Sequence, residues 1–252
     1  HGFSTRFGGV SRGIYSSMNL SFTRGDEESC VKENYRRISD AMGFDMNSIV
    51  TSDQTHTNNV RKVTEKDRGK GIVIPRDYTD TDGMITNVPG LVLATFYADC
   101  VPLYFADPAN HAIGLSHSGW RGTVQKIGAV TIEKMSEEYG SNPKDLKVAI
   151  GPSICQKCYE ISEDVAKQFS EAYEADEIGQ ILQKGRVTGA GDQKYQLDLW
   201  AANWFQLKRA GVQPEHIHLS GVCTCCNHEL LFSHRASHGK RGNLNGFLRI
   251  RG

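Results

Sequence analysis

The stretch LVLATFYADCVPLYFADPANHAIGLSH, residues 91–117, constrains the fold more than any other part of the chain. Apolar, β-branched and aromatic residues flank Asp-Pro-Ala-Asn, four residues that favour a reversal of the chain, so the sequence predicts a β-hairpin. With residues 107–110 as the loop, Ala106 pairs with His111 and Cys100 stands opposite His117. Directly opposed side chains on an antiparallel pair have Cβ atoms about 4.5 to 5.5 Å apart, within reach of one shared proton or metal ion. Pro102 lacks the N–H that a central strand needs, so the ladder is expected to break just after Cys100.

Helical signals surround this hairpin. Val31, Tyr35, Ile38 and Met42 recur at helical spacing ahead of Gly43, predicting a helix over 28–42. A second helix is expected to start directly after Trp120-Arg121-Gly122 and end at Gly140. Two more are expected over 162–173 and 197–210, the latter with Asp198 in its first turn and Gly211 at its end. SIVTSDQTHTNNVRKVT alternates like a strand and would turn Gln54 and His56 to one face, while HIHLSGV, ELLFSHR and GFLRIR read as short strands. Strands and helices alternate without a strict βαβ rhythm, which predicts an α+β domain with a mixed sheet layered with helices. No repeat or linker divides the chain, so residues 1–252 are expected to form a single domain.

Charge narrows the partners. Lys plus Arg and Asp plus Glu number 29 each, so no global field attracts nucleic acid or an anionic membrane. No apolar run approaches the roughly 18 residues of a membrane-spanning helix. Seven cysteines in a chain of this length do not resemble a disulfide framework, and a reducing cytoplasm is the expected compartment. The chain opens at His1 rather than Met, which weakens any reading of compartment from its N-terminus.

Cys100 and His117 admit three readings: packing, a nucleophile with its base, or part of a metal site. A free cysteine usually packs. Here, however, Asp99 precedes it and Gly-Trp-Arg-Gly follows His117, where N–H groups and a guanidinium suit an anion. His56, on the polar segment SDQTHTNN, is the candidate third ligand. A His-Cys-His set leaves one position of a tetrahedral zinc open, as a catalytic rather than structural site requires.

Eight separated motifs carry a resemblance. GFSTRFGGVSRGIYSSMNLS, QTH, YADCVPLYFAD, SHSGWRGT, AIGPSICQKCYEI, LDLWAAN, CTCC and FSHRASHGKRG resemble, in order and over nearly the whole chain, the YfiH-type laccase-domain proteins. That family goes under the names multicopper polyphenol oxidase and purine nucleoside phosphorylase. The resemblance implies a metal on His56, Cys100 and His117, and an α+β fold like that of the cytotoxic necrotizing factor type of Cys-His hydrolases. It further implies phosphorolysis of adenosine, inosine, guanosine and methylthioadenosine, deamination of adenosine, oxidation of phenols with copper, or editing of peptidoglycan precursors. Purine nucleosides and phosphate are then the expected partners, and a monomer or weak homodimer the expected assembly. Cys100, His117 and Asp99 are the expected catalytic set, with Gln54, Arg6, Arg121 and Arg235 as substrate contacts because they lie in matching motifs.

The residues weigh these activities unequally. Several coppers need many imidazoles, and the chain has nine histidines and one His-x-His, His216 and His218. Zinc is therefore the expected ion, with copper possible in the same site because of its high place in the affinity order. Zinc would lower the pKa of bound water towards about 7, giving a hydroxide for attack on adenosine. The His-x-Glu and Pro-Cys-x-x-Cys signature of cytidine-deaminase-like enzymes is missing. Alternatively Cys100 is a nucleophile, His117 its base and nearby N–H groups an oxyanion hole.

Two features stand apart from these motifs. Cys155, Cys158, Cys225 and Cys226 offer a Cys-x2-Cys and a Cys-Cys pair for a structural zinc, set against buried free thiols. Arg235, Lys240, Arg241, Arg249 and Arg251 crowd the C-terminal tail as a solvated rim or an anionic-substrate edge, and without interleaved stacking aromatics nucleic-acid binding is not expected.

Overall fold

A computed structural model describes residues 1–251. Its largest sheet has six strands in the order β12 (Ile217–Leu219), β8 (Lys147–Ile150), β6 (Val101–Asp107), β7 (Ala112–Ser118), β4 (Gly83–Thr86) and β3 (Val60–Lys62). A four-stranded sheet runs β1 (Gly2–Phe3), β13 (Leu244–Arg249), β5 (Val92–Tyr97) and β2 (Ile49–Thr51). A small third sheet joins β10 (Leu182–Val187), β11 (Gln193–Leu197) and β9 (Glu160–Ser162). The helices are α1 (Glu28–Met42), α2 (Trp120–Val124), α3 (Ile127–Tyr139), α4 (Glu163–Ala172), α5 (Ala175–Ile181) and α6 (Leu199–Arg209). Both parallel and antiparallel pairs occur in the two large sheets, so the fold is α+β with mixed sheets.

Alternation along the strands stacks these parts into four layers. Val31 and Tyr35 of α1 pack on Ile49, Val92 and Ala94, one face of the four-stranded sheet. Val50, Leu93 and Leu248 on its other face meet Met84, Tyr104 and Leu115 of the six-stranded sheet. Ile85, Leu103, Phe105 and Val148 turn the opposite way, onto Ile132 and Met135 of α3 and Leu207 of α6. Both sheets are thus covered on both faces, which explains why β5, β6 and β7 read as continuous apolar runs rather than alternating ones.

The hairpin forms, but in another register. Asp107 pairs with Ala112 and Pro102 with His117, so the loop is residues 108–111 and Cys100 is not opposite His117. Asp107 Oδ1 accepts the N–H groups of Ala109 and Asn110, at 3.0 and 3.1 Å, which draws the turn one residue further along than composition suggests. Pro102 is tolerated because it is the second residue of β6 and the ladder to β8 begins only at Leu103. Cys100 instead lies where the chain leaves β5, in one sheet, and enters β6, in the other, with Asp99 at φ 91°.

Other expectations also shift. Helix α1 matches its predicted span, closed by Gly43 in the left-handed region. The helix after Gly-Trp-Arg-Gly begins at Trp120 itself and divides at Lys126, whose φ of 61° separates α2 from α3. Residues 52–59 form a loop with one isolated bridge, Asp53 to Thr81, rather than a strand, because the N–H groups of Thr55, His56 and Thr57 bond to the Asp82 carboxylate instead of a neighbouring ladder. ELLFSHR forms turns, not a strand. Asp198 is the N-cap of α6, accepting the Ala201 N–H at 2.9 Å, rather than a first-turn residue.

Candidate metal centre

His117 is fixed by Asp82, a residue that sequence reasoning missed. Its backbone N–H donates to the Asp82 carbonyl and its Nδ1 to Asp82 Oδ1, both at 2.7 Å. Because a carboxylate only accepts, Nδ1 carries a proton, and Nε2 is the nitrogen left to face Cys100 or, once it has given up its own proton, to bind a metal. Asp82 is 0% exposed and also takes the N–H groups of Thr55, His56 and Thr57 at 2.9, 3.2 and 3.0 Å. One carboxylate therefore holds the ring of one histidine and the loop of the other.

His56 has φ 67° and is exposed. Asp80 braces the same loop, accepting Thr57 Oγ1 at 2.9 Å and Asn59 Nδ2 at 2.6 Å. The signal for this pair was the Asp-Thr-Asp-Gly ahead of β4, short carboxylates beside a turn, which are suited to capturing loop N–H groups. Gln54 acts as a clasp on β5: its Oε1 accepts the Phe96 N–H at 2.6 Å and its Nε2 donates to the Phe96 carbonyl at 2.8 Å.

The ligand atoms of His56, Cys100 and His117 all lie within 4.8 Å of one another. The two imidazole rings stand 5.0 Å apart and nearly perpendicular. Burial opposes ionisation of the half-buried Cys100 thiol, yet the charge of His117 and hydrogen bonds from His117 and His56 bring it down to about 6. Burial likewise opposes charge on His117, while the Cys100 thiolate and Asp82 raise it to about 9. Burial also works against ionised Asp82, but His117 and the loop N–H groups hold it below the usual carboxylate range. One sulfur and two imidazole nitrogens, one of them backed by a carboxylate, fit zinc or a single copper ion.

Gly119 closes this site from behind. A Cβ there would come 3.1 Å from His56 Cδ2 and 3.3 Å from Cys100 Sγ. Gly119→Ala is expected to displace both ligands slightly and weaken metal binding about tenfold without unfolding the chain, as read by chelator competition and thermal melting.

The remaining expected site residues are scattered. Asp99 spends its oxygens on Thr224 Oγ1 and the Arg235 N–H, both at 2.7 Å, so it braces the crossover. Arg6 donates to the carbonyls of Ser16 and His228, each at 3.0 Å. Arg121 is exposed over the Trp120 ring. The Arg235 guanidinium reaches the carbonyls of Cys158 and Glu160 at 3.0 and 2.8 Å. A pocket of about 990 Å³ opens over Cys100, lined by His56, His117 and Gln54 but by none of those three arginines. Its cations include Arg24, which sequence reasoning missed, and Arg241, one of the basic residues noted in the tail. Phe22, Tyr78 and Phe96 supply its aromatic rings.

A family model described as multi-copper polyphenol oxidoreductase laccase matches residues 1–251. The chain belongs to this family. Purine nucleoside phosphorylase YlmD of Bacillus subtilis is 39% identical over 251 residues, covering 98% of this chain and 87% of that protein. Adenosine deaminase RL5, from an unknown prokaryotic organism, is 33% identical over 235 residues, covering 92% of this chain and 87% of its own. The crystal structure of YlmD from Geobacillus stearothermophilus matches with a TM-score of 0.90 at 36% identity, covering 100% of this chain and 91% of that one.

In this laccase-family chain, His56 and His117 are the histidines that join a cluster of possible ligands among the described residues. His218 is exposed on β12 and His216 Nδ1 bonds the Lys144 carbonyl at 3.0 Å, so the His-x-His adds nothing to the centre. The chain has no helix long and apolar enough to cross a membrane among the described residues.

Proposed function

We propose that this chain is a zinc-dependent purine nucleoside phosphorylase acting on adenosine, inosine, guanosine and methylthioadenosine, and that it also deaminates adenosine. The observation that carries the reading is the joining of a three-ligand centre to Arg24 and Arg241 in one pocket. Arg241 Nε is buried without a partner. Burial, with the neighbouring Arg24 charge, pushes the Arg241 guanidinium down to about 10. Two like charges held together, one with an unmet donor, favour an anion between them, and arginine forks suit phosphate. The names of the relatives, purine nucleoside phosphorylase and adenosine deaminase, support the same substrates.

Phosphorolysis breaks the bond from C1′ to the purine nitrogen, forms a C1′–O bond to phosphate and returns a proton to the leaving base. Arg24 and Arg241 would hold the phosphate, and Phe22, Tyr78 or Phe96 would stack on the purine. His56, Cys100 and His117 would hold zinc, which supplies Lewis acidity and an activated water for deamination. Asp82 keeps His117 in the tautomer that leaves Nε2 available. Adenosine turnover with and without phosphate tests the reading: adenine and ribose 1-phosphate appear only with phosphate, and inosine appears without it. Arg241→Ala should raise the KM for phosphate about tenfold or more by removing a charged hydrogen-bonding partner. Absence of both products from the metal-loaded protein would refute the proposal.

One observation favours a second reading. Asp82, His117 and Cys100 stand in the order carboxylate, base and nucleophile, the arrangement of a Cys-His hydrolase acting on amides such as those of peptidoglycan precursors. His56 separates the two. His56→Ala should abolish metal-dependent nucleoside turnover but leave amide hydrolysis by the Cys100–His117 pair intact. Copper in the same three-ligand centre would account for polyphenol oxidation as a side activity.

A further inference from the structure

Four more thiols converge away from this centre. Strands β8 and β12 are parallel neighbours, so their C-terminal ends carry two loops to one place. The first loop makes the short turn Gln156–Cys158, and the second begins at a bridge between Ser153 and Cys223. The sulfurs of Cys155, Cys158, Cys223 and Cys226 all lie within 4.8 Å of one another, although 68 residues separate Cys155 from Cys223. Cys223 takes the place expected for Cys225, which packs against the large hydrophobic core instead. The ligand spacing thereby becomes Cys-x2-Cys twice, a much stronger metal signal than a Cys-Cys pair.

The geometry suits a tetrahedral ion. With zinc–sulfur bonds of about 2.3 Å, tetrahedral sulfurs stand about 3.8 Å apart. Cys158 Sγ and Cys155 Sγ lie 3.5 and 4.0 Å from Cys226 Sγ. None of the four is in a disulfide. The N–H groups of Cys155 and Cys226 both donate to Cys223 Sγ at 3.3 Å, and two donors converging on one sulfur suit a thiolate ligand.

We propose that Cys155, Cys158, Cys223 and Cys226 form a second metal site, a closed tetrathiolate that binds one zinc ion and leaves no position for water or substrate. Its role is structural, because four protein ligands complete the tetrahedron. The ion would fasten together the two loops that grip Asp99. Thr224, next to Cys223, donates to Asp99 Oδ1 at 2.7 Å, and Ile154, next to Cys155, donates its N–H to the Asp99 carbonyl at 2.9 Å. Arg235 completes the grip, bonding Asp99 Oδ2 through its own N–H and the Cys158 carbonyl through its guanidinium. Asp99 holds a left-handed backbone directly before Cys100, so it is a positioning residue tied to the second site.

Metal content of protein purified without metal-affinity resin from zinc-supplemented culture tests the site independently of any reaction at the first one. The wild type should carry two zinc ions per chain, one for each ligand cluster. Cys100→Ala and the double variant Cys155→Ser, Cys226→Ser should each lose one ion, the double variant also melting at a lower temperature. One ion in the wild type with none in Cys100→Ala would overturn the proposal. If the double variant does not fold, cobalt-substituted wild type decides. Sulfur-to-cobalt charge-transfer absorption from both clusters, with five cobalt–sulfur bonds in all, supports the second site, and the intensity of one thiolate refutes it.

Discussion

Asp82→Ala is expected to weaken metal binding at the His56–Cys100–His117 centre about 10- to 100-fold and to destabilise the fold by about 3 kcal/mol. The two effects share one cause. Removing the carboxylate takes the acceptor from His117 Nδ1, so the ring can turn or take the tautomer that protonates the ligand nitrogen. It also strips the N–H groups of Thr55, His56 and Thr57 of their partner, and each of these part-buried donors left unpaired costs about 1 kcal/mol, the low end because water reaches the loop. Asp82→Asn separates the two: its amide oxygen can still accept loop N–H groups, while its charge no longer supports His117. That variant should unfold at nearly the wild-type urea concentration yet lose metal affinity, measured by competition with a chromophoric chelator. Wild-type affinity in Asp82→Asn would show that the carboxylate does not organise the site.

Cys100→Ala should lower metal-dependent nucleoside turnover about a thousandfold or more, since groups acting as a unit lose most of their effect when one is removed. The thiolate is the anionic and softest ligand of the three, and two imidazoles alone hold zinc weakly. The fold should survive, because Cys100 is only half-buried at a crossover and the change removes a single sulfur atom. Circular dichroism together with turnover and metal content makes the comparison. Retained turnover in a folded, metal-free Cys100→Ala protein would exclude both the metal and the thiol mechanisms.

Much of this could be read before the structure. Helix α1 follows from Val31, Tyr35, Ile38 and Met42 and a glycine free to take a left-handed φ at its end. The existence of the β6–β7 hairpin follows from two apolar runs and turn-forming residues between them. Its register does not, because Asp107 can either sit in the loop or cap it from the strand end, and its bonds to Ala109 and Asn110 select the second. The juxtaposition of Cys100 with His117 was legible for the wrong local reason. The thiol reaches the imidazole from a corner between sheets, not from across the ladder.

The candidate site divides along the same line. His56, Cys100 and His117 were readable because ligand chemistry resides in residue type. Asp82 was not, because a carboxylate is commonplace in sequence and gains its role only when it meets a histidine 35 residues away. Cys225 and Cys223 are likewise the same residue type two positions apart, and the bridge to Ser153 brings Cys223 to the cluster.

By itself the sequence determined helices α1, α4 and α6, the apolar strands of the β6–β7 hairpin, the residue types able to bind a metal, and the α+β class. Tertiary structure alone decided that β5 and β6 enter different sheets, that Arg24 and Arg241 rather than Arg6, Arg121 and Arg235 line the pocket, and that Asp82 unites the histidines. The physical reason is range. Periodicity, caps and turn preferences act over a few residues, whereas the site is assembled by backbone and side-chain partners tens to hundreds of positions apart. Those partners are selected by which buried faces the four layers press together.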